Sequence, residues 1–374
     1  PKGMNAMNGT TDNSKSKLLR RGFAAFAAAS ALLLADGCAD IRQAIDDALG
    51  GWTKEYTRTY SREIGAMMGP RYDSLALEGR GIRIGVLDAG FGSLRSDPRT
   101  QGLRIIDYRD FTTGDTTGFF RDPMEHGRQV CMNIGGRMGS DTLLGLAPAS
   151  EFCLAKIDLP DREPRSEEVR MMQGIEWLLD KGVDLITCSI GYTTFDDFDG
   201  YTPGQLDGRS SRISRFLDSI LRAHPQLLFI QCAGNEGNKP WRHIGFPGDV
   251  REAVTVGAVD WDGQTRREYS STGWPEAGYI KPDVVVSDSP RGTSFSTPVI
   301  AGLCAAMLQY NRVERSTLIA ALHASGSRAA TPDCEVGYGI PQLDRLVELL
   351  APTDASDSAG SKTDTTNQTI NNLK

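Results

Sequence analysis

Between residues 80 and 350, short apolar runs rich in β-branched residues alternate with longer stretches whose apolar positions recur every three or four residues. The runs predict strands at Ile82–Leu87, Glu151–Ile157, Val183–Cys188, Leu227–Cys232, Ala253–Val259 and Asp283–Val286. Their near-continuous hydrophobicity fits strands buried on both faces, as in a parallel sheet. Helices are expected between them. Ser166 is placed to cap one with Glu167 and Glu168 in its first turn; Val169, Met172, Ile175 and Leu179 form its stripe, and Lys181-Gly182 ends it. A second, Ser210–His224, carries Ile213, Phe216, Leu217, Ile220 and Leu221 on one side and Arg212, Arg215 and Arg222 on the other, and stops at Pro225. The alternation predicts an α/β fold: a three-layer, doubly wound, mostly parallel sheet with helices on both faces.

The ends of the chain read differently. Lys15, Lys17, Arg20 and Arg21 precede an apolar run, Gly22–Ala35, that is short for a membrane span, so residues 1–39 are expected to be an export signal, with Met4 or Met7 as initiator. Ala35-Asp36-Gly37-Cys38 resembles a bacterial lipoprotein processing site, in which the Cys carries the lipid; cleavage near Ala39 and free secretion is the other reading. Residues 40–79, with Gly50-Gly51 and Gly69-Pro70, read as a lead-in of short helices and turns. Residues 351–374, polar from Thr353 onward, read as a disordered tail, leaving 80–350 as the one folded domain.

A net charge of -7 and a pI near 5.3 give no basic face for nucleic acid or an anionic membrane, so a lipid at Cys38 is the only membrane contact expected. There are seven Cys, none in a Cys-x-x-Cys spacing, which gives a zinc or redox site little support. Cys188, Cys232 and Cys304 lie inside apolar runs, where a small buried thiol is the usual state.

Four segments carry candidate chemistry. Asp88 ends the first strand, and open α/β sheets build sites at the carboxyl ends of their strands, although an Asp there can also cap a turn or bind a metal. His126 opens a helical stretch in which Gly127 permits close backbone approach; His224, His243 and His323 lack a comparable setting. Ser294, in Gly292-Thr-Ser-Phe-Ser-Thr-Pro298, opens a small-residue apolar helix, with Pro298 expected in its first turn. Free amides and a favourable dipole at such a terminus suit a nucleophilic hydroxyl beside an oxyanion; an ordinary buried cap is the alternative. Asn235, in Ala233-Gly-Asn-Glu-Gly237, follows another strand and offers a side-chain amide donor, or else serves a Gly-rich turn.

Taken in order, Asp88-Ala-Gly, His126-Gly, Ala233-Gly-Asn-Glu-Gly and Gly292-Thr-Ser-x-Ser-Thr-Pro resemble the four signatures of the subtilases, exported bacterial members included. Leu144-Gly-Leu-Ala-Pro148, Thr187-Cys-Ser-Ile-Gly191 and Lys281-Pro-Asp-Val are similar too, so the likeness spans about Glu78 to Leu350. It implies a serine endopeptidase in which Ser294 is the nucleophile, His126 the general base and Asp88 its orienting partner, with the oxyanion between Asn235 and the Ser294 amide. It also implies that Ser189, Ile190 and Gly191 pair with the substrate backbone, with Ala233 and Gly234 beside them. The expected partners are protein or peptide substrates, met as a monomer, in the medium or the cell envelope. No cofactor is needed for this chemistry.

The chain departs from the family in several places. Ala89 stands where Ser or Thr is usual, which removes one hydrogen bond to Asp88, and Gln129 replaces a His outside the triad. Only nine positions separate Asp283 from Gly292, which shortens one pocket wall, while Thr193–Arg209 is a long polar and aromatic segment expected to replace part of it. Glu236 at the pocket lip leans toward basic side chains. Structural calcium is common in relatives, but Arg137–Leu143, the corresponding loop, has Asp141 as its single carboxylate, so no ligands are assigned. The lead-in is short for a folding pro-domain. Ala89 and the short segment are also what an inactive relative, binding peptides or partners at the envelope, would carry.

Overall fold

The computed structural model describes residues 58–159, 162–198, 200–288 and 291–352; the expected signal, Cys38 and the tail from Thr353 lie outside them. Seven strands form the central sheet: β1 (Arg83–Asp88), β2 (Arg104–Asp110), β3 (Glu151–Lys156), β4 (Leu185–Cys188), β5 (Leu228–Cys232), β6 (Val254–Val259) and β7 (Val284–Ser287). They lie in the order β7-β6-β5-β4-β1-β3-β2 with every neighbouring pair parallel. The order reverses beside β1, so the chain leaves β1 and β4 in opposite directions and opens a crevice at their carboxyl ends. The sequence expectation of a doubly wound parallel sheet holds.

Two cores fill the space on either side. Ile84 and Val86 of β1 belong to one, with Val130 and Ile134 of α1 (His126–Gly135) and Ile300 and Leu303 of α4 (Thr293–Tyr310). Leu87 belongs to the other, with Ile175 and Leu178 of α2 (Ser166–Asp180) and Ile213 and Leu217 of α3 (Arg212–Ala223). This is the two-residue alternation of a strand, and both faces are apolar because both are covered. Helices α5 (Arg315–Ser325) and α6 (Leu343–Leu349) extend the first face through Leu318, Leu322, Leu343 and Leu346.

Three local expectations are corrected. Strand β2, Arg-Ile-Ile-Asp-Tyr-Arg-Asp, lacks an apolar run because it is the sheet edge: it is largely exposed or half-buried and bulged between Ile105 and Asp107. Ser166 does not cap α2. The backbone is already helical at Arg165, whose N–H donates to Asp197 Oδ1 at 2.6 Å, and the Ser166 hydroxyl meets Arg170 instead. The cap of α3 is Ser211, accepting from the Ser214 N–H at 3.0 Å, while the Ser210 hydroxyl is drawn to Asp207.

Ahead of the sheet, Thr59–Tyr60 pairs with Thr142–Leu143, which folds back on Arg137–Met138, and Arg62–Gly65 and Pro70–Leu75 are short helices. The hairpin contains the loop that could have held calcium. Asp141 is its one carboxylate and takes the Ser140 hydroxyl, so the loop offers a single side-chain carboxylate toward such an ion. The six described cysteines are free thiols, with Cys188, Cys232 and Cys304 buried.

A buried charge cluster pins the start of β7. The Asp283 carboxylate accepts from Lys281 Nζ at 2.7 Å and from the Thr255 N–H at 2.7 Å, and lies 2.9 Å from His323 Nε2, whose ring stacks on Tyr338. Burial alone would raise the Asp283 carboxyl, but Lys281 and then His323 more than reverse this and hold it below its usual value. The stability contributed is therefore present above the ordinary carboxylate range and is lost as pH falls through the depressed value. Lys281→Met should cost about 3–5 kcal/mol, because it leaves a buried carboxylate without its cation. Urea denaturation at neutral pH reads this directly, and an unchanged midpoint would show that the cluster is energetically neutral.

Candidate active site

Strand β1 delivers Asp88 to the crevice fully buried. Its Oδ1 accepts from the Ala89 N–H at 2.8 Å and from His126 Nδ1 at 2.8 Å, which makes Nδ1 the donor and leaves Nε2 for the cleft. Its Oδ2 is buried with no hydrogen-bond partner, as expected where Ala89 offers no hydroxyl. His126 is the first residue of α1. The following Gly127 donates its N–H to the Gly90 carbonyl at 2.8 Å, and a Cβ there would lie 2.7 Å from that same oxygen, so only glycine lets the helix start this close to the turn after β1. The imidazole packs on Phe295 and keeps one edge exposed. The Asp88 charge raises its pKa above 6.5; burial opposes this, and the nearby Asp158 adds to it.

Helix α4 begins at Thr293 after Gly292, whose φ of +119° is glycine territory and whose missing Cβ would sit 3.2 Å from Asn235 Nδ2. The Thr293 N–H and hydroxyl both donate to Asn235 Oδ1, at 3.0 and 3.3 Å, and the Thr293 hydroxyl accepts from the Gly234 N–H at 3.1 Å. With its oxygen engaged, the Asn235 amide has Nδ2 as its remaining donor. The Ser294 N–H is among the first amides of α4, which have no acceptor within the helix. A side-chain donor from Asn235 thus lines the same cavity as Ser294 at the start of α4.

Pro298 lies deeper than the sequence suggested. It is the sixth residue of α4, inside the helix rather than in its first turn. Lacking an N–H, it cannot bond the carbonyl four residues back, which is that of Ser294. That carbonyl accepts from the Ser189 hydroxyl at 2.9 Å, and the Ser294 hydroxyl in turn donates to the Ser189 carbonyl at 3.3 Å. The proline therefore ties the nucleophile's backbone to the end of β4. Among the described residues Ser294 has no hydrogen bond to His126; such bonds are often closed only with substrate in place.

His126, Ser294, Asn235, Gly234 and Ser189–Gly191 line one cavity of about 480 Å³, with Ala233 buried behind Gly234. The Ile190 carbonyl is held by Gln231 Nε2 at 2.7 Å. Thr193 and Thr194 line the cavity as well, so the polar segment after Gly191 does form part of its wall. Glu236 is there too, but its charge is met by Lys239 at 2.8 Å. Two further carboxylates, Asp158 and Glu163, were not foreseen. Asp158 follows β3 at the carboxyl edge as Asp88 ends β1, and the same rule could have found it. A recess of about 570 Å³ at the amino ends of β4 and β5 is lined mainly by apolar residues and brings no such set together.

The sequence model of the subtilase family matches residues 79–339. The chain belongs to the subtilase family. Among curated relatives, the intracellular serine protease of Paenibacillus polymyxa is 27% identical over 62% of this chain and 68% of that protein, and subtilisin E of Bacillus subtilis is 25% identical over 68% of this chain and 62% of that protein. Among solved structures, the CspB protease of Clostridium perfringens superimposes with a TM-score of 0.59 at 16% identity, covering 75% of this chain and 96% of that one. The prenylagaramide maturation protease PagA gives 0.57 at 19%, covering 76% and 99%. These structures show the fold shared with this subtilase, and the relatives place it among serine proteases.

Ser189→Ala should leave the buried Ser294 carbonyl without a donor. A loss of about 1–3 kcal/mol in unfolding free energy is expected. Equal stability of variant and wild type in urea titration would mean that another group satisfies this carbonyl.

Proposed function

We propose that this subtilase is a serine endopeptidase acting on proteins or peptides, with Ser294 as nucleophile, His126 as general base and Asp88 as the residue that orients it. The observation that carries this reading is the 2.8 Å Asp88–His126 hydrogen bond opening onto the cavity that also holds Ser294 and Asn235. A rotation of the Ser294 hydroxyl away from the Ser189 carbonyl brings its proton to His126 Nε2. Oγ then attacks the substrate carbonyl carbon, and His126 takes the proton while Asp88 stabilises the imidazolium. The Asn235 Nδ2 and the Ser294 N–H receive the negative oxygen. Collapse breaks the C–N bond, His126 returns the proton to the departing amine, and water releases the acyl group by the same steps in reverse. Ser189–Gly191 supply an edge along which an extended peptide can pair, with Ala233 and Gly234 beside it.

A fluorophosphonate probe should label the protein at Ser294, and Ser294→Ala should abolish both labelling and casein cleavage. Asn235→Ala should lower kcat by about 10²–10³, the size known for such a donor in subtilisin itself. Since His126 must be neutral to act and Asp88 raises its pKa, kcat/KM should fall as pH drops through a value above 6.5. Folded protein that resists the probe would overturn the enzymatic reading in favour of a binding role.

We also infer export, from the basic residues and apolar run ahead of Cys38. Labelling by a fatty-acid analogue that disappears in Cys38→Ala marks an envelope lipoprotein; exported protein without such labelling marks free secretion.

A further inference from the structure

Among the described residues, the lining of the cavity beside His126 carries more acidic than basic side chains. Asp158 and Glu163 line it, and the one Lys or Arg among the described lining residues, Lys239, is paired with Glu236 at 2.8 Å. Asp158 Oδ1 is buried and has no hydrogen-bond partner. Behind Asp158 lies Glu167, which shares a hydrogen bond with it and whose pKa is pushed up to about 8 by burial and then by the Asp158 charge; Arg170 reaches Glu167 at 2.8 Å and spends its Nε on the Ile157 carbonyl. Arg165, the next guanidinium, stacks on Phe198 and reaches Glu168. Burial is the largest influence on both lining carboxyls and raises both; at Asp158 the hydrogen bond with Glu167 opposes it, and at Glu163 the charge of Asp158 adds to it. A carboxylate beside a low-dielectric wall is stabilised when a positive charge meets it.

The wall itself is held in shape. The Glu163 N–H donates to Asp196 Oδ2 at 2.9 Å, and the Glu163 carbonyl accepts from the Asp196 N–H at 2.9 Å. The segment after Gly191 is thereby fastened to the segment after β3, and Phe195, Phe198 and Tyr201 pack it down onto Phe246. The recess exists without a substrate to form it, which lowers the ordering cost of binding.

We propose that this recess is a specificity subsite for a positively charged substrate side chain, Lys or Arg, received by Asp158 and Glu163. The inference rests on the peptidase reading and names the substrate class for the same cleft. A cationic head entering the recess meets the negative charge of Asp158 and Glu163, and the methylene stem of a Lys or Arg can lie against Ile190 in its lining.

The test uses N-acetylated, internally quenched peptides carrying Lys, norleucine or Glu at each position around the scissile bond. At one position kcat/KM for Lys should exceed that for norleucine by about tenfold or more, the size of one charge-assisted hydrogen bond, and Glu should be disfavoured. Asp158→Asn and Glu163→Gln should each shrink the Lys/norleucine ratio. Binding of the same peptides to Ser294→Ala protein, followed by fluorescence anisotropy, should show the same preference, weakened by salt. That arm reports on the subsite even if the catalytic reading fails. Equal binding of Lys and norleucine peptides overturns the proposal while leaving the peptidase intact. So does a preference that appears only with free N-termini, or an Asp158→Asn loss that is the same for every peptide, which would make Asp158 an electrostatic influence on His126 alone.

Discussion

The site depends on one buried helix. Every residue of α4 from Thr293 to Leu308 is buried, between the sheet on one side and α1 on the other. Close approach requires small residues: a Cβ on Gly302 would lie 2.5 Å from the Ile134 carbonyl, so α4 and α1 meet nearly backbone to backbone. Because α4 cannot shift without opening that core, its first turn is a fixed point to which the rest of the crevice is referred. Asn235 is oriented by Thr293, β4 is tied to it through Ser189, and the His126 ring rests on Phe295. The hydrophobic effect thus supplies the precision that the polar groups use.

Such precision has a local cost that the chain meets with specific partners. A proline inside a helix discards a hydrogen bond, and here the discarded acceptor becomes the attachment of the nucleophile to the neighbouring strand. A fully buried aspartate is expensive, and Asp88 is held by a backbone amide and an imidazole. Its second oxygen remains without a partner, a place where Ala89 makes this subtilase less fully braced than a neighbour with a hydroxyl would.

Much of this was legible in the residues because it follows from local rules. Strands buried on both faces announce themselves as continuous apolar runs, and Asp88, His126, Asn235 and Ser294 sit at element ends where chemistry is usually placed. What escaped depended on packing partners far away in sequence. Arg104–Asp110 reads as polar because an edge strand has one wet side. The depth of Pro298 in α4 is set by where Gly292 can turn, and Arg165 begins its helix because Asp197, across the cleft wall, holds its amide. Glu236 looked like the acidic member of the pocket until Lys239 three residues on proved to neutralise it. Glu163 carries no motif, and its pairing with the segment after Gly191 is what fixes it at the cleft, whereas the place of Asp158 just after a strand was open to the strand-end rule.

Asp158 links recognition to catalysis through charge. Its field raises the pKa of His126, so in the empty enzyme it works against the neutral imidazole that a general base requires. A cationic side chain seated on Asp158 cancels part of that field and returns the imidazole toward its neutral form. Linkage makes the effect reciprocal: the cation binds better when His126 is neutral and worse when it is protonated, since two positive charges would then share one carboxylate. On the proposed reading, a cationic substrate would ease deprotonation of His126, while an uncharged one would leave the smaller contribution of Asp158, beside that of Asp88, in place. Discrimination achieved this way needs no movement of the backbone, which suits a cleft whose walls are already fastened between Glu163 and Asp196.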